Sequence, residues 1–329
     1  ILANAVTCKV DTEDRNVKLE VNRCLTYFVD GYEQSTAFKM HTWDGTASFF
    51  NFAKGTFPAG FMYYVGACLK RKGYDVQFYK KPLPKPLGKL RPKIGNYEYD
   101  PRYEYQYTVT EKLLKHGQLI CRAATGAGKS LIALIAFATI NRPTLFLTTR
   151  SILMYQMKEN VENNLGIDVA VIGDGNLGFE NSDGSKSLKK FTVATVQTIH
   201  SYIKEPNPTD SAYEFTAQRK RQEFMKSILE KFEFVILEEA HESSASGWFE
   251  LLKYCKNAYY RLALTGTPFM KESEEMNMRL MASSGPVAIT VTEKQLIDCG
   301  ILATPYFKFV HLTKKPATMS MKTSWQPAY

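Results

Sequence analysis

The chain has 329 residues, 44% hydrophobic and 23% charged, an ordinary globular composition that leaves no room for a fibrous repeat or a disordered tract. That length exceeds the usual domain of about 100–200 residues, so two sizeable cores are the default. A formal charge of +9 favours a polyanionic partner without fixing one, and no apolar run approaches the roughly 18 residues that span a bilayer. With no secretion signal either, a cytoplasmic protein without a membrane partner is expected. The six cysteines (8, 24, 68, 121, 255 and 299) form no C-x-x-C pair and are expected reduced and buried. The chain begins at Ile1, and both ends are expected to be cropped.

Residues 1–80 read as a small α+β domain. Alternation over Ala5 to Val10 predicts a strand, and Glu13 to Phe28 a helix. Trp43-Asp44-Gly45 predicts a hairpin turn between Ala37–Met40 and Ser48–Phe52, because Asp-Gly readily takes positive φ angles. Pro58 and Gly60 open a helix over Phe61 to Lys72, Gly73 closes it, and Tyr74 to Tyr79 follows as a strand, for an order of β-α-β-β-α-β. Residues 81–100 read as a basic, Pro-rich linker. The stretch 80–93 holds four prolines, six basic residues and no acid, which predicts an extended, solvated segment. A bland spacer and a phosphate-contacting arm, using Lys80, Lys81 and Lys85, both remain open.

In residues 101–310 short apolar strands alternate with amphipathic helices. The strands fall at Gln118–Cys121, Leu145–Thr148, Val169–Ile172, Phe191–Thr195, Phe234–Leu237 and Arg261–Leu264. Such alternation predicts a parallel sheet wrapped by helices, with surface loops at 173–190 and 204–222. Residues 311–329 read as the start of a connection to a second such domain.

The chemistry concentrates at strand ends. Residues 123–130, A-A-T-G-A-G-K-S, lie between an apolar strand and an apolar helix, so backbone N–H groups of Thr125, Gly126, Ala127 and Gly128 and the helix dipole can converge on phosphate oxygens. Lys129 is expected to pair with the β and γ phosphates, and Ser130 to hold Mg²⁺. The strand ending at Leu237 runs into Glu238-Glu239-Ala240-His241. Here one acid can position Mg²⁺ (Glu238) and the other can orient the attacking water (Glu239). His241 is weaker alone. Thr265-Gly266-Thr267-Pro268 ends another strand, where Thr265 and Thr267 can contact His241 and link nucleotide state to a following domain. Gln106, upstream of the phosphate loop, can read an adenine edge, although a glutamine alone is a weak signal that also fits a surface residue; with the other motifs the expected ligands are ATP and Mg²⁺.

Together these pieces resemble the first motor domain of superfamily 2 helicases, with a P-loop, RecA-like fold. A-A-T-G-A-G-K-S resembles motif I, E-E-A-H a DEAH-type motif II, L-T-G-T-P motif III, and 145–156 motif Ia. V-A-T-V-Q-T, at 193–198, is similar to the family's backbone-contacting motif, and 285–302 to its passage out of the domain. The resemblance implies that Arg150, Thr195 and Gln197 contact phosphates of a tracking strand. In the first 80 residues W-D-G, F-P-x-G and K-x-x-G-Y resemble the accessory domain of phage UvsW-type helicases, relatives of RecG and XPB. This implies a DNA-binding accessory domain and an ATP-driven motor on branched or duplex DNA. It also implies a phage-infected bacterial host, work in replication, recombination or repair, and other proteins of those processes as partners. Trp43 and its neighbouring phenylalanines read equally as a small-domain core.

Two departures qualify the likeness. The family usually carries Asp where this chain has Glu238, whose extra methylene moves the carboxylate by about 1.5 Å. Only 61 residues follow Pro268, too few for a second motor domain with its arginine finger, so poor hydrolysis is expected of this polypeptide alone. Two other readings stay open: a nucleic-acid-binding module with a degenerate ATPase, and the motor subunit of a restriction or remodelling complex.

Overall fold

The computed structural model describes residues 1–178, 188–207, 211–239, 245–268 and 273–309, with the side chains of 245 and 246 excepted. His241, residues 311–329 and half of the expected loop 173–190 lie outside the described residues.

The N-terminal unit is built from very short elements: β1 (Leu2–Ala3), β2 (Thr7–Lys9), α1 (Arg15–Cys24), β3 (Thr26–Phe28), α2 (Thr36–Lys39), β4 (Thr46–Ser48), β5 (Thr56–Pro58), α3 (Met62–Arg71) and β6 (Tyr79–Lys80). A four-stranded sheet has the order β5-β2-β1-β6, with β6 parallel to β1, and β3 and β4 form a separate antiparallel ribbon.

Three expectations fail here. The first helix stops at Cys24, because Thr26, Tyr27 and Phe28, β-branched and aromatic, ladder with β4. The expected hairpin is absent: residues 36–39 form α2, started by Ser35 accepting from the Phe38 N–H, although Gly45 does take φ +81°. The strand expected over 74–79 shrinks to Tyr79, which continues into Lys80.

The larger unit follows as α4 (Glu104–His116), β7 (Gln118–Ala123), α5 (Lys129–Ile140), β8 (Thr144–Thr148), α6 (Ser151–Leu165), β9 (Val169–Ile172), β10 (Phe191–Thr195), α7 (Val196–Ile203), α8 (Ala212–Leu229), β11 (Phe234–Glu238), α9 (Ala245–Leu252), β12 (Tyr260–Thr265), α10 (Glu274–Ser284), β13 (Val287–Val291) and α11 (Glu293–Asp298). The seven strands pair in parallel in the order β13-β7-β12-β11-β8-β10-β9. Both faces are buried, which explains why the strands read as continuous apolar runs. Phe234 and Ile236 join one core, under α4, α5 and α6, while Val235 and Leu237 join the other, under α7, α8 and α9. Every expected strand of this sheet forms, and β13 adds an edge.

The charged stretch expected as a loop over 204–222 is instead largely the helix α8. Ser211 and Glu214 form a capping box at its start, and Gln222, Met225, Ile228 and Leu229 are its buried stripe. The linker 81–100 contains no helix or strand, as expected, but it is not a free solvated spacer. The Tyr260 hydroxyl donates to Pro84 O at 2.6 Å, Arg142 Nε donates to Lys85 O at 2.9 Å, and the Leu87 and Gly88 N–H groups donate to Ile140 and Thr139 carbonyls. Ile94 enters the core.

The two units share a core. Cys8, Val21, Phe57, Phe61 and Val65 cluster with Met278 and Ala282 of α10, and Phe49 packs edge-on against Phe249 of α9 at 5.5 Å. Gly60 meets α10 so closely that a Cβ there would lie 2.1 Å from Met281 O. Arg261, wholly buried on β12, donates to the carbonyls of Leu252, Cys255, Ala258 and Ser283, tying the ends of α9 and α10 together. All six cysteines are free; Cys299 is exposed and Cys24 half-buried, against the expectation that all are buried.

Candidate nucleotide and nucleic-acid site

The sheet gathers the candidate residues along one rim because in a parallel sheet every strand ends on the same side. Ala123 ends β7, Thr265 ends β12, Glu238 ends β11, Thr148 precedes Arg150 after β8, and Thr195 ends β10. In sheet order the rim therefore runs from phosphate loop to threonine loop to acids to Arg150 to Thr195. Neighbouring strands are about 4.8 Å apart, so Lys129 and the acids are separated by one intervening strand.

The loop after β7 needs its glycines. Gly126 has φ +86° and Gly128 has φ +76°, and a Cβ at 128 would fall 2.7 Å from Gln106 Nε2. Ala127 is buried, Thr125 and Gly126 are exposed, and Lys129 and Ser130 are half-buried in the first turn of α5. The Ala127 carbonyl accepts from both the Tyr105 hydroxyl (2.8 Å) and Gln106 Nε2 (3.1 Å). Gln106, expected to read an adenine edge, thus has its amide nitrogen engaged with the loop. Tyr105 and Leu302 are site neighbours that sequence reasoning missed. Leu302, beyond α11, lies so close to Gly126 that a Cβ there would sit 2.8 Å from its Cδ2. A tyrosine beside Gln106 was the available signal for Tyr105, and nothing local marked Leu302.

Lys129 Nζ lies 3.2 Å from Glu239 Oε1, both side chains being largely buried. Glu239 holds φ +48°, a conformation costly for a residue with a Cβ. Glu238 is 7% exposed. Its burial, with the Glu239 charge second and Lys129 opposing, pushes its carboxyl up to about 7. Two acids and a lysine therefore converge at the phosphate loop. Thr265 is buried, and its hydroxyl accepts from the Thr267 N–H at 3.2 Å. Their expected partner, His241, lies outside the described residues.

Further along the rim, Arg150 is the exposed cap residue of α6, and Gln197 is exposed in the first turn of α7. Thr195 is buried, its hydroxyl 2.8 Å from that of Thr198, so it is less accessible than Gln197. Among the described residues no group of three or more His, Cys, Asp or Glu can hold a metal by itself. The glycine loop, Lys129, Ser130 and Glu238 are a donor set that fits a magnesium-bound triphosphate.

The family model described as type III restriction enzyme, res subunit, matches residues 99–270, just over half of the chain. The chain belongs to this family. A curated relative, the DNA 3'-5' translocase XPB2 of Sulfurisphaera tokodaii, is 29% identical over 165 residues, 50% of this chain and 30% of the relative. The chain thus spans under a third of that relative's length. Among solved structures, the UvsW helicase from Bacteriophage T4 superposes with a TM-score of 0.65 at 17% identity, covering 87% of this chain and 96% of that one. A second T4 UvsW structure gives 0.67 at 18% identity, covering 88% of this chain and 56% of the other. At this identity the match establishes the fold, a RecA-like sheet with a small N-terminal unit. Among the described residues no helix is long and apolar enough to cross a membrane.

Proposed function

We propose that this chain is the nucleotide-binding motor half, with its accessory unit, of an ATP-dependent DNA helicase or translocase acting on branched or duplex DNA in replication, recombination or repair. The observation that carries this reading is the convergence of Lys129, Glu238 and Glu239 on the phosphate loop. Thr125 to Ser130 cradle the triphosphate, Lys129 pairs with its outer phosphates, and Ser130 and Glu238 hold Mg²⁺. A metal held there would supply charge neutralisation on the phosphates and would favour the ionised form of Glu238. Phosphate oxygens compete with Glu239 for Lys129, so nucleotide binding releases Glu239 to orient a water. Thr265 and Thr267, between the acid strand and the phosphate-loop strand, report the nucleotide state, and Arg150 and Gln197 face the tracking strand, while Thr195 is buried with its hydroxyl against Thr198 at the start of α7. Gln106 and Tyr105 hold the loop in shape.

A second reading, a DNA-binding module whose ATPase has decayed, draws on Glu238 alone, a buried carboxyl that keeps its proton near neutral pH. The test is a nucleotide titration and a DNA-stimulated ATPase assay on the chain, supplied with its second motor domain for the hydrolysis step. Lys129→Ala is expected to abolish nucleotide binding, and wild type to hydrolyse faster with DNA. Unchanged affinity in Lys129→Ala overturns the site. Tight nucleotide binding without any DNA stimulation selects the module.

A further inference from the structure

We infer that the docked linker is a second phosphate track, on the opposite rim of the sheet from the motif residues, which takes a different arm of the DNA. The inference rests on the DNA-binding reading above and adds to it a surface that none of the helicase motifs contains.

The anchors of residues 84–88 lie at the N-terminal ends of the strands, whereas Arg91 further on pairs with Glu104 and Glu111 of α4. Pro84 is held by Tyr260, the first residue of β12, Lys85 by Arg142 just before β8, and Gly88 by the last turn of α5. Arg150, Gln197 and the phosphate loop lie beyond the other ends. Strands of five or six residues at about 3.3 Å each separate the two rims by roughly 15–20 Å, so one strand of nucleic acid passing over Arg150 does not also reach residues 84–88 of the linker.

The linker is gripped by its backbone and by Arg91, which pairs with Glu104, and its lysines beyond Lys80 are left outward. Lys81, Lys85, Lys89 and Lys93 are exposed, and none forms an ion pair with a described residue. They recur at every fourth position, which in an extended proline-rich chain is about 12 Å. Carboxylates along this path are already paired: Glu233 with Arg142 at 2.7 Å, Glu230 with Lys256, and Glu104 with Arg91. Lys80, by contrast, is withdrawn. It donates to His116 O at 3.2 Å against the Tyr63 ring, and its burial lowers its pKa. The structure therefore replaces Lys80 in the expected arm by Lys89 and Lys93. A spacer needs neither a fixed backbone nor evenly placed free cations, whereas a fixed row of cations binds a polyanion with little ordering cost.

The test uses the full chain and fluorescence anisotropy with forked and linear duplex DNA across a KCl series. Gln at 81, 85, 89 and 93 together is expected to flatten the slope of log K against log salt on forked DNA by about 2–4, at roughly 0.9 per lost contact. Nucleotide affinity should not change. The variant should bind forked and linear DNA more equally, and Arg there should restore the slope. Leu87→Ala with Leu90→Ala, which alters the exposed apolar residues between the lysines, should leave the slope alone. An unchanged slope in the Gln variant, while Arg150→Ala weakens binding, overturns the second track and leaves the motor reading standing. Loss of DNA binding in the leucine variant also overturns it, since the contact would then rest on the apolar residues and not on the lysines. A wild-type chain that binds no DNA refutes both readings.

Discussion

Replacing Glu238 by Gln keeps the shape of the side chain and removes its titration, so it reports directly on the environment of the acid. Burial raises that carboxyl from 4.5 to about 7. At about 1.36 kcal/mol per unit, ionising it in the folded chain costs about 3 kcal/mol, a sizeable share of a typical domain's stability. Because the folded value is the higher one, the folded state keeps a proton that the unfolded state has released across the window from 4.5 to about 7. The stabilisation is complete below that window and is lost as pH rises through it. Glu238→Gln should thus match wild type near pH 4.5 and gain stability progressively, approaching about 3 kcal/mol by pH 8. Urea unfolding of both proteins at several pH values, followed by circular dichroism, measures the difference. A difference that does not change with pH, or one that falls as pH rises, would refute the buried-acid argument.

Glu239→Gln removes the competitor for Lys129 and should tighten nucleotide binding several-fold while stopping hydrolysis, as read by titration with a fluorescent nucleotide and by phosphate release; weaker binding would mean that Glu239 serves Lys129 rather than competing with it. Glu238→Asp should leave DNA-stimulated ATPase equal or better, and a large loss would count against Glu238 as the metal-positioning acid. Gly60→Ala forces a methyl against Met281 O and should cost about 1–3 kcal/mol in urea unfolding; a neutral result would mean that the N-terminal unit can shift freely on α10. Arg261→Met strips four carbonyls of their shared donor and should destabilise by about 3–5 kcal/mol, with the urea midpoint as the check.

The parallel sheet was legible because strands buried on both faces advertise themselves: Phe234 to Leu237 can be little else. The phosphate loop and acids were legible because strand ends in such a sheet share a rim, so motif order along the chain becomes order in space. The N-terminal unit was not, since strands of two or three residues hold no period, and Thr26–Phe28 is decided by its partner β4 rather than by its own sequence. The helix α8 was hidden by its charged outer face, although Ser211 and Glu214 at capping-box spacing were there to be read. Contacts made across the fold, such as Tyr105 and Leu302 on the phosphate loop and Pro84 under Tyr260, have no local signature at all.

The shared cluster of Phe61, Val65, Met278 and Ala282 means that the border drawn near residue 80 along the chain is not a border in the folded molecule. Cutting there would leave wet, apolar surfaces on both fragments and invite self-association. Anyone grafting a different accessory unit onto this scaffold must bring a matching α10 with it, and natural change on one side of that seam is answerable to the other.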